Sequence, residues 1–460
     1  MGWHTLVICA IVMPIPAWAD LYSARAADAK QDYPRAFELY RELAELGHAE
    51  SQESLAVMYV NGEGVKRDNV LGYAWAVIAM ENGREGAAKE IASQLEPHVT
   101  AAARERAGAV QARFGKAALQ ERILPLPYVQ GVSAANPCEL RTPANPDYFY
   151  PAEAKSKNVT GTLVVESVVA PDGHARSPRI WYSMPPDVFD KAGRRLALHN
   201  RYTPPRVNGV AVPCLVRFKV RFQINGPGDG GTAEQKRVLA DALAKAQTGD
   251  PLSQLTYGLV LEMRADMNTS MDSPMSWIVK AAQAGLASAQ YIVGMHTLSG
   301  VSQGMEKDDS KGLFWLQRAA DAGQIEAQAS LANYLLRNHP DAVAYDKALA
   351  LLEKSAASGN RDGRFQLAAV LATAPDAARR DPVRAMELLA LIKDEVDFDP
   401  TFFEVRAAAQ AMAGKFAEAQ EDQKGALLKA KKLGWDLTPA RARLADYEAS
   451  KPWTGNLFAY

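Results

Sequence analysis

Cys138 and Cys214 are the residues whose type and number first suggest chemistry. The remaining cysteine, Cys9, lies in an apolar opening segment that reads as a removable leader, which leaves an even pair. In an exported chain such a pair reads as a disulfide. Closing a 76-residue loop would contribute up to about 4–5 kcal/mol by the chain-entropy model. The other reading is two buried thiols acting as small hydrophobes. As nucleophiles the two would need a neighbouring base, and a bridge would make them inert. His48, His98, His174, His199, His296 and His339 include no His-Glu-x-x-His or comparable ligand spacing. Neither a Gly-x-Ser-x-Gly elbow nor a phosphate loop ending in Gly-Lys-Ser/Thr occurs. The expectation is therefore a non-enzyme with no metal and no cofactor, which acts by binding.

Composition agrees with that direction. The chain has 460 residues, 48% hydrophobic and 23% charged, enough for about three domains with real cores. Fifty-two basic residues against 53 acidic give a net charge of −1, so no strongly basic nucleic-acid surface is expected. The first nineteen residues carry a short apolar run from Thr5 to Met13, prolines at 14 and 16, and a small-x-small site at Ala17-Trp18-Ala19. They read as a signal peptide cleaved before Asp20. The run is too short for a hydrocarbon core about 30 Å thick, so no membrane span is expected in the mature chain and the compartment reads as the periplasm.

Holding any binding surface requires a scaffold, and the scaffold is repetitive. Gly47 and Gly83 are 36 residues apart; Gly249, Gly285, Gly323 and Gly359 follow at intervals of 36, 38 and 36. Eight residues before a glycine stands a large apolar side chain: Leu39, Trp75, Trp277, Trp315 or Leu351. Nine residues after it stands a small one: Ala56, Gly258, Gly294, Ala332 or Ala368. Each unit reads as helix, left-handed glycine C-cap, helix. Asp68 and Asp381 read as N-caps, the latter followed by Pro382 at the first helical position. One helix pair cannot bury its own apolar face, so the units must stack into an α-solenoid. In that frame Trp75, Trp277 and Trp315 are core spacers, not a ligand cage.

Asn61-Gly-Glu-Gly-Val-Lys-Arg-Asp68 with Ala74-Trp75, and the segments Trp277–Gly285 and Trp315–Gly323, resemble the Sel-one-like repeat of the tetratricopeptide superfamily. The likeness covers about residues 33–90 and 236–395. It implies helical repeats that bind other proteins and implies no catalytic residue.

Near residue 120 the helical period stops. Prolines 125, 127, 137, 143, 146 and 151 forbid continuous helix. Thr160–Ala170 reads as a strand, Pro171-Asp-Gly-His174 as a turn, and Ala175–Tyr182 as the returning strand. A short helix is expected over 187–199. Val216, Phe218, Val220, Phe222 and Ile224 then alternate with Arg217, Lys219, Arg221 and Gln223, as a strand with one apolar face. The central region is thus a small α+β domain, one helix on an antiparallel sheet. Asn225–Thr232 reads as a flexible joint.

Tyr150-Pro-Ala-Glu-Ala154, Gly161-Thr-Leu-Val-Val, Pro171-Asp-Gly173, Phe189-Asp190-Lys-Ala192, Tyr202-Thr-Pro204 and Asn208-Gly209-Val-Ala-Val-Pro213 resemble, in order and spacing, the TonB C-terminal domain. That resemblance implies a periplasmic module that captures an extended protein segment by strand addition. It also implies protein or peptide partners such as an outer-membrane receptor or an envelope complex. Arg217, Lys219 and Arg221 read either as a solvated strand face or as partner-binding residues. The expected layout is 1–19 signal peptide, 20–118 repeats, 119–136 Pro-rich connection, 137–226 TonB-like domain, 227–233 linker and 234–460 repeats. The expected function is a periplasmic adaptor. The alternative is an energy transducer of the TonB type, although no uncleaved anchor helix or long Pro-rich spacer is evident.

Overall fold

The computed structural model describes residues 19–125, 138–185, 187–223, 233–263, 273–299, 306–338, 342–455 and 457. The expected leader except Ala19, most of the Pro-rich connection, Ile224 and the Gly-rich joint up to Thr232 lie outside the described residues. Contacts divide the chain into two units. One holds Met1–Ile123 with Lys280–Gln290 and Asp321–Gln324; the other holds Leu124–Val279, Tyr291–Ala320 and Ile325–Tyr460. This division differs from the layout read off the sequence, since two short stretches of the C-terminal repeats join the N-terminal unit.

Helices α1 (Leu21–Ala29), α2 (Tyr33–Glu45), α3 (Ala49–Asn61) and α4 (Asn69–Glu81) open the chain. They are followed by α5 (Gly86–Leu95), α6 (Ala101–Phe114) and α7 (Lys116–Arg122). Asp20 caps α1 by accepting from Ser23 N at 2.9 Å. Asp68 caps α4 through Val70 N and Leu71 N, both at 3.0 Å. A Cβ on Gly72 would come within 3.2 Å of the Ala56 carbonyl, so α3 and α4 meet where a small side chain faces a glycine. Trp75 is buried and stacks on Phe114 at 5.4 Å.

The central domain contains β1 (Glu139–Thr142), α8 (Ala152–Ser156), β2 (Gly161–Val169), β3 (Ala175–Met184) and α9 (Asp190–Ala197). After these come β4 (Arg201–Thr203), β5 (Arg206–Val207), β6 (Val210–Ala211) and β7 (Cys214–Phe222). The main sheet has the order β3-β2-β7, antiparallel throughout; β1 pairs with β4 and β5 with β6 as two-stranded ribbons. Helix α9 is shorter than the expected 187–199, because Asp187 has φ +64° and turns the chain before it. One sheet face packs under α9 around Leu163, Val165, Leu196 and Val220. There Phe189 stacks on Phe222 at 4.7 Å, and Tyr150 sets its edge against both rings. Cys138 and Cys214 are bridged, with Cα atoms 6.1 Å apart, in a cluster with Val169, Ala175, Tyr202 and Val216.

The C-terminal helices are α10 (Ala233–Gln247), α11 (Pro251–Met263), α12 (Pro274–Gln283), α13 (Ala287–Ser299), α14 (Asp309–Asp321) and α15 (Ile325–Asn338). The series continues with α16 (Ala342–Ala357), α17 (Arg361–Thr373), α18 (Pro382–Ala390) and α19 (Lys393–Val396). It closes with α20 (Pro400–Met412), α21 (Phe416–Leu433) and α22 (Thr438–Glu448). Gly47, Gly83, Gly249, Gly285, Gly323 and Gly359 all have φ between +84° and +91°, the left-handed conformation that ends one helix and frees the chain to start the next. The small column has an equally physical cause at Gly294. A Cβ there would lie 2.7 Å from Leu316 N and 3.0 Å from Gly312 O, so α13 and α14 touch backbone to backbone.

Candidate protein-binding surfaces

The alternation that gives β7 one apolar face gives it one cationic face, and β2 decides what that face meets. Register sets Glu166 of β2 opposite Arg217 on β7 and Arg179 on β3. One carboxylate therefore bridges both neighbours: Arg217 Nη2 donates to Glu166 Oε2 at 2.9 Å and Arg179 Nη2 to Oε1 at 3.1 Å. The side chains are 5% exposed for Arg217, 6% for Glu166 and 12% for Arg179, so this is an internal charge group. Strand β3 carries a bulge at Trp181, since Val164 pairs with Tyr182 and Val165 with Ile180. The indole of Trp181 lies against the Arg217 guanidinium, a cation–π contact.

The chain's own helices cover this face. Arg179 donates to Ser330 Oγ of α15 at 3.2 Å, and Arg217 to the Met295 carbonyl of α13 at 3.4 Å. The His296 ring centre is 4.6 Å from that of Trp181. Lys219 Nζ donates to the Glu262 carbonyl near the end of α11 at 2.6 Å. Arg221 lies half-buried on the same face. Burial, with Arg217 alongside, holds His296 well below the usual imidazole range, so it stays neutral. Burial pushes Tyr291 up to about 12, and it remains a phenol that hydrogen-bonds Ser330. Arg217, read from sequence as solvated or partner-facing, is thus placed in an internal ion pair because the repeats fold over the sheet.

A second contact pins the β2–β3 turn. Asp172 accepts from His174 N at 3.0 Å, from Arg176 Nη2 at 2.6 Å and from Asp436 N at 2.8 Å. Burial alone would raise its pKa, but these donors and the Arg176 charge hold the carboxyl far below its ordinary range. Arg176 lies 3.5 Å over the Trp435 ring, and Arg201 Nη2 caps the terminal Leu433 carbonyl of α21 at 2.6 Å. Sheet and C-terminal helices are therefore joined at two places.

What remains of the sheet is its edges. Strand β3 breaks register twice, contains Pro178, and has Ser177 at φ +48°. Those features spoil an edge for further pairing. Strand β7 pairs with β2 without a break from Cys214 to Phe222, and no second strand lies beside it among the described residues.

On the repeats, Trp75, Trp277 and Trp315 are 4%, 7% and 0% exposed. The sequence reading missed one repeating polar contact. Gln52, Gln254, Gln290 and Gln328 each reach back eight residues to a carbonyl at the end of the preceding helix, Ala44, Ala246, Ala282 and Ala320, at 3.1–3.4 Å. Arg364 does the same to Ala356. The signal was present: a glutamine stands five residues after Gly47, Gly249, Gly285 and Gly323. Glu166, Arg179 and Trp181 were also missed, for lack of any local pattern. Among the described residues no group of three His, Cys, Asp or Glu could hold a metal ion, and no helix is long and apolar enough to cross a membrane.

Comparison with known proteins matches residues 146–224 to the Gram-negative bacterial TonB protein C-terminal. Residues 18–48, 49–83, 287–324 and 325–360 match the Sel1 repeat. Sel1 repeats thus flank a TonB-like domain. Among curated proteins, the Sel1-repeat-containing protein YjcO of Escherichia coli (strain K12) is 36% identical over 141 residues, 31% of this chain. The chain spans 57% of the length of that relative, and the same holds for YjcO of Shigella flexneri. A protective antigen of uropathogenic Escherichia coli with an SLR fold aligns over 94% of this chain and 82% of its own, with a TM-score of 0.37 and 16% identity. A Sel1 repeat protein from Oxalobacter formigenes aligns over 82% and 99%, with a TM-score of 0.31 and 13% identity. The two kinds of module together suggest a protein-interaction scaffold.

Proposed function

We propose that this chain is a periplasmic adaptor whose repeats hold protein partners and whose TonB-like sheet captures an extended segment by strand addition to β7. The observation that carries the reading is the unbroken nine-residue edge of β7, set against a β3 edge spoiled by two bulges and a proline. The Cys138–Cys214 bridge supports an oxidising compartment. Cleavage after Ala19 would leave Asp20 first, and Asp20 is the residue that caps α1. Since the face of β7 is occupied by its own repeats, specificity would come from edge hydrogen bonds and from side chains beside them. Arg217 then acts as the internal clamp that holds the edge in place, while Lys219 and Arg221 flank it.

The test is in-cell photo-crosslinking with a reactive residue at Lys219 on β7 and, as control, at Ser177 on β3. Mass spectrometry should map the β7 crosslinks to one extended segment of an envelope protein, with few at β3. Equal labelling from both strands would remove the strand-addition reading. The likeness to the TonB C-terminal domain favours a second reading, an energy transducer. Recovery of the protein from the inner membrane with residues 1–19 intact would favour that reading over the adaptor.

A further inference from the structure

The segment after α22 does not extend the solenoid. Ser450, at φ +56°, turns the chain, and Lys451 N closes the helix end on Asp446 O at 2.8 Å. Residues 451–455 and Leu457 then lie against earlier helices. Trp453 packs on the cluster of Ala407, Ala411, Ala419 and Tyr447, with the Arg443 guanidinium 5.4 Å from its ring. Gly455 N donates to the Thr373 carbonyl at 2.9 Å, one of the carbonyls left without a partner at the end of α17. Leu457 is 6% exposed. Glycine is needed at 455, because a Cβ would meet the Trp453 ring at 2.8 Å.

Two cavities border this strap. Leu457 lines a cavity of about 290 Å³ on one side, with Tyr345, Gln366 and Val370, and a cavity of about 350 Å³ on the other, with Trp435 and Arg443. Each is about the size of a small ligand pocket. Among the residues lining them, Gln366 Oε1, Trp435 Nε1 and Arg443 Nε are buried without a hydrogen-bond partner. Buried polar atoms are ordinarily satisfied, and an extended backbone brings both donors and acceptors. The hold on the strap is also slight. Among the described residues of the strap, two backbone hydrogen bonds, from Lys451 N and Gly455 N, and two apolar anchors stand against the ordering of the segment.

We propose that residues 451–455 and Leu457 are a displaceable occupant of a peptide site on α17, α20 and α22, whose ligand is an extended peptide with an aromatic residue four positions before a leucine. The pattern is that of Trp453 and Leu457 themselves. The inference rests on the adaptor reading and deepens it, locating on the repeats a peptide site separate from the β7 edge.

The full chain with Trp453→Ala and Leu457→Ala is titrated, by fluorescence anisotropy, into a labelled peptide of residues 450–457. The variant should bind at least tenfold more tightly than the wild-type chain, whose own strap competes. A peptide with alanine at both anchors should not bind. A variant with native circular dichroism that binds no peptide, or one that binds no better than wild type, overturns the proposal. Should the variant fail to fold, hydrogen exchange on the wild-type chain decides: saturating peptide must speed exchange at 453–457 while α17 stays protected. Unchanged exchange, or a stable dimer of strap-exchanged chains, also overturns it. Crosslinking at β7 is independent of either result, so failure here leaves the strand-addition reading standing.

Discussion

Glutamine at position 166 tests the internal clamp most directly. Glu166→Gln keeps the shape of the side chain but leaves two buried guanidiniums facing one neutral amide. Arg217 and Arg179 both use the same carboxylate, at 2.9 and 3.1 Å, so one substitution breaks two ion pairs. Removing one partner of a buried pair typically costs about 3–5 kcal/mol. The shared carboxylate puts this case toward the top of that range. At a urea slope of about 2 kcal/mol per molar, a loss of about 4 kcal/mol lowers the unfolding midpoint by about 2 M. The triple replacement Glu166→Leu, Arg179→Met, Arg217→Met behaves differently, because buried ion groups exchanged for apolar ones of similar volume are often neutral or stabilising by about 1–4 kcal/mol. Against this, the triple variant loses the cation over Trp181, about 0.5–2 kcal/mol, and its donors to Ser330 and Met295. It should therefore fall near wild type. Urea titration followed by circular dichroism separates the two outcomes. A Glu166→Gln midpoint within about 0.5 M of wild type, or a triple variant as weak as the single one, would show that the sheet is not held to the repeats by this group.

Further outcomes follow from other sites. Burial holds His48 at about 4, against 6.5 in the unfolded chain, while its Nδ1 caps α3 by accepting from Ser51 N. Between pH 6.5 and about 4 the unfolded state binds the extra proton, so stability falls as pH falls, by about 1.4 kcal/mol per unit; thermal melts across that range should show the slope, and His48→Asn, which keeps a capping acceptor, should flatten it. Gly294→Ala forces a methyl to within 2.7 Å of Leu316 N and should cost about 1–3 kcal/mol by chemical denaturation, whereas alanine at Gly108, which meets nothing, should be neutral or stabilising. Reducing the Cys138–Cys214 bridge should lower stability by about 2–4 kcal/mol, read as a lower melting temperature in dithiothreitol.

The repeat units, the strand alternation and the β2–β3 hairpin were all legible in the chain, and for one reason. A left-handed glycine, an aspartate N-cap and a two-residue period are settled by neighbours a few positions away, so their causes lie within the stretch of sequence that displays them. Gly285 ends a helix whatever packs above it, and Val216, Val220 and Phe222 share a face by backbone geometry alone. The cysteine pair was legible by parity and by the expectation of export, not by position.

What Arg217 does was not legible, because its partners come from far along the chain. Glu166 is 51 residues away, and the Met295 carbonyl is 78. An arginine on an alternating strand looks the same whether water, a partner or the chain's own helices will cover it. Folding chose the last, and in doing so placed Arg217 in a buried ion pair. The strap of residues 451–455 and Leu457 belongs to the same class: its sequence shows no period, and its place follows from the Thr373 carbonyl at the end of α17 and from surfaces that exist only once the helices have stacked. Local causes write themselves into local sequence; a surface shared by distant segments comes into being only when those segments meet.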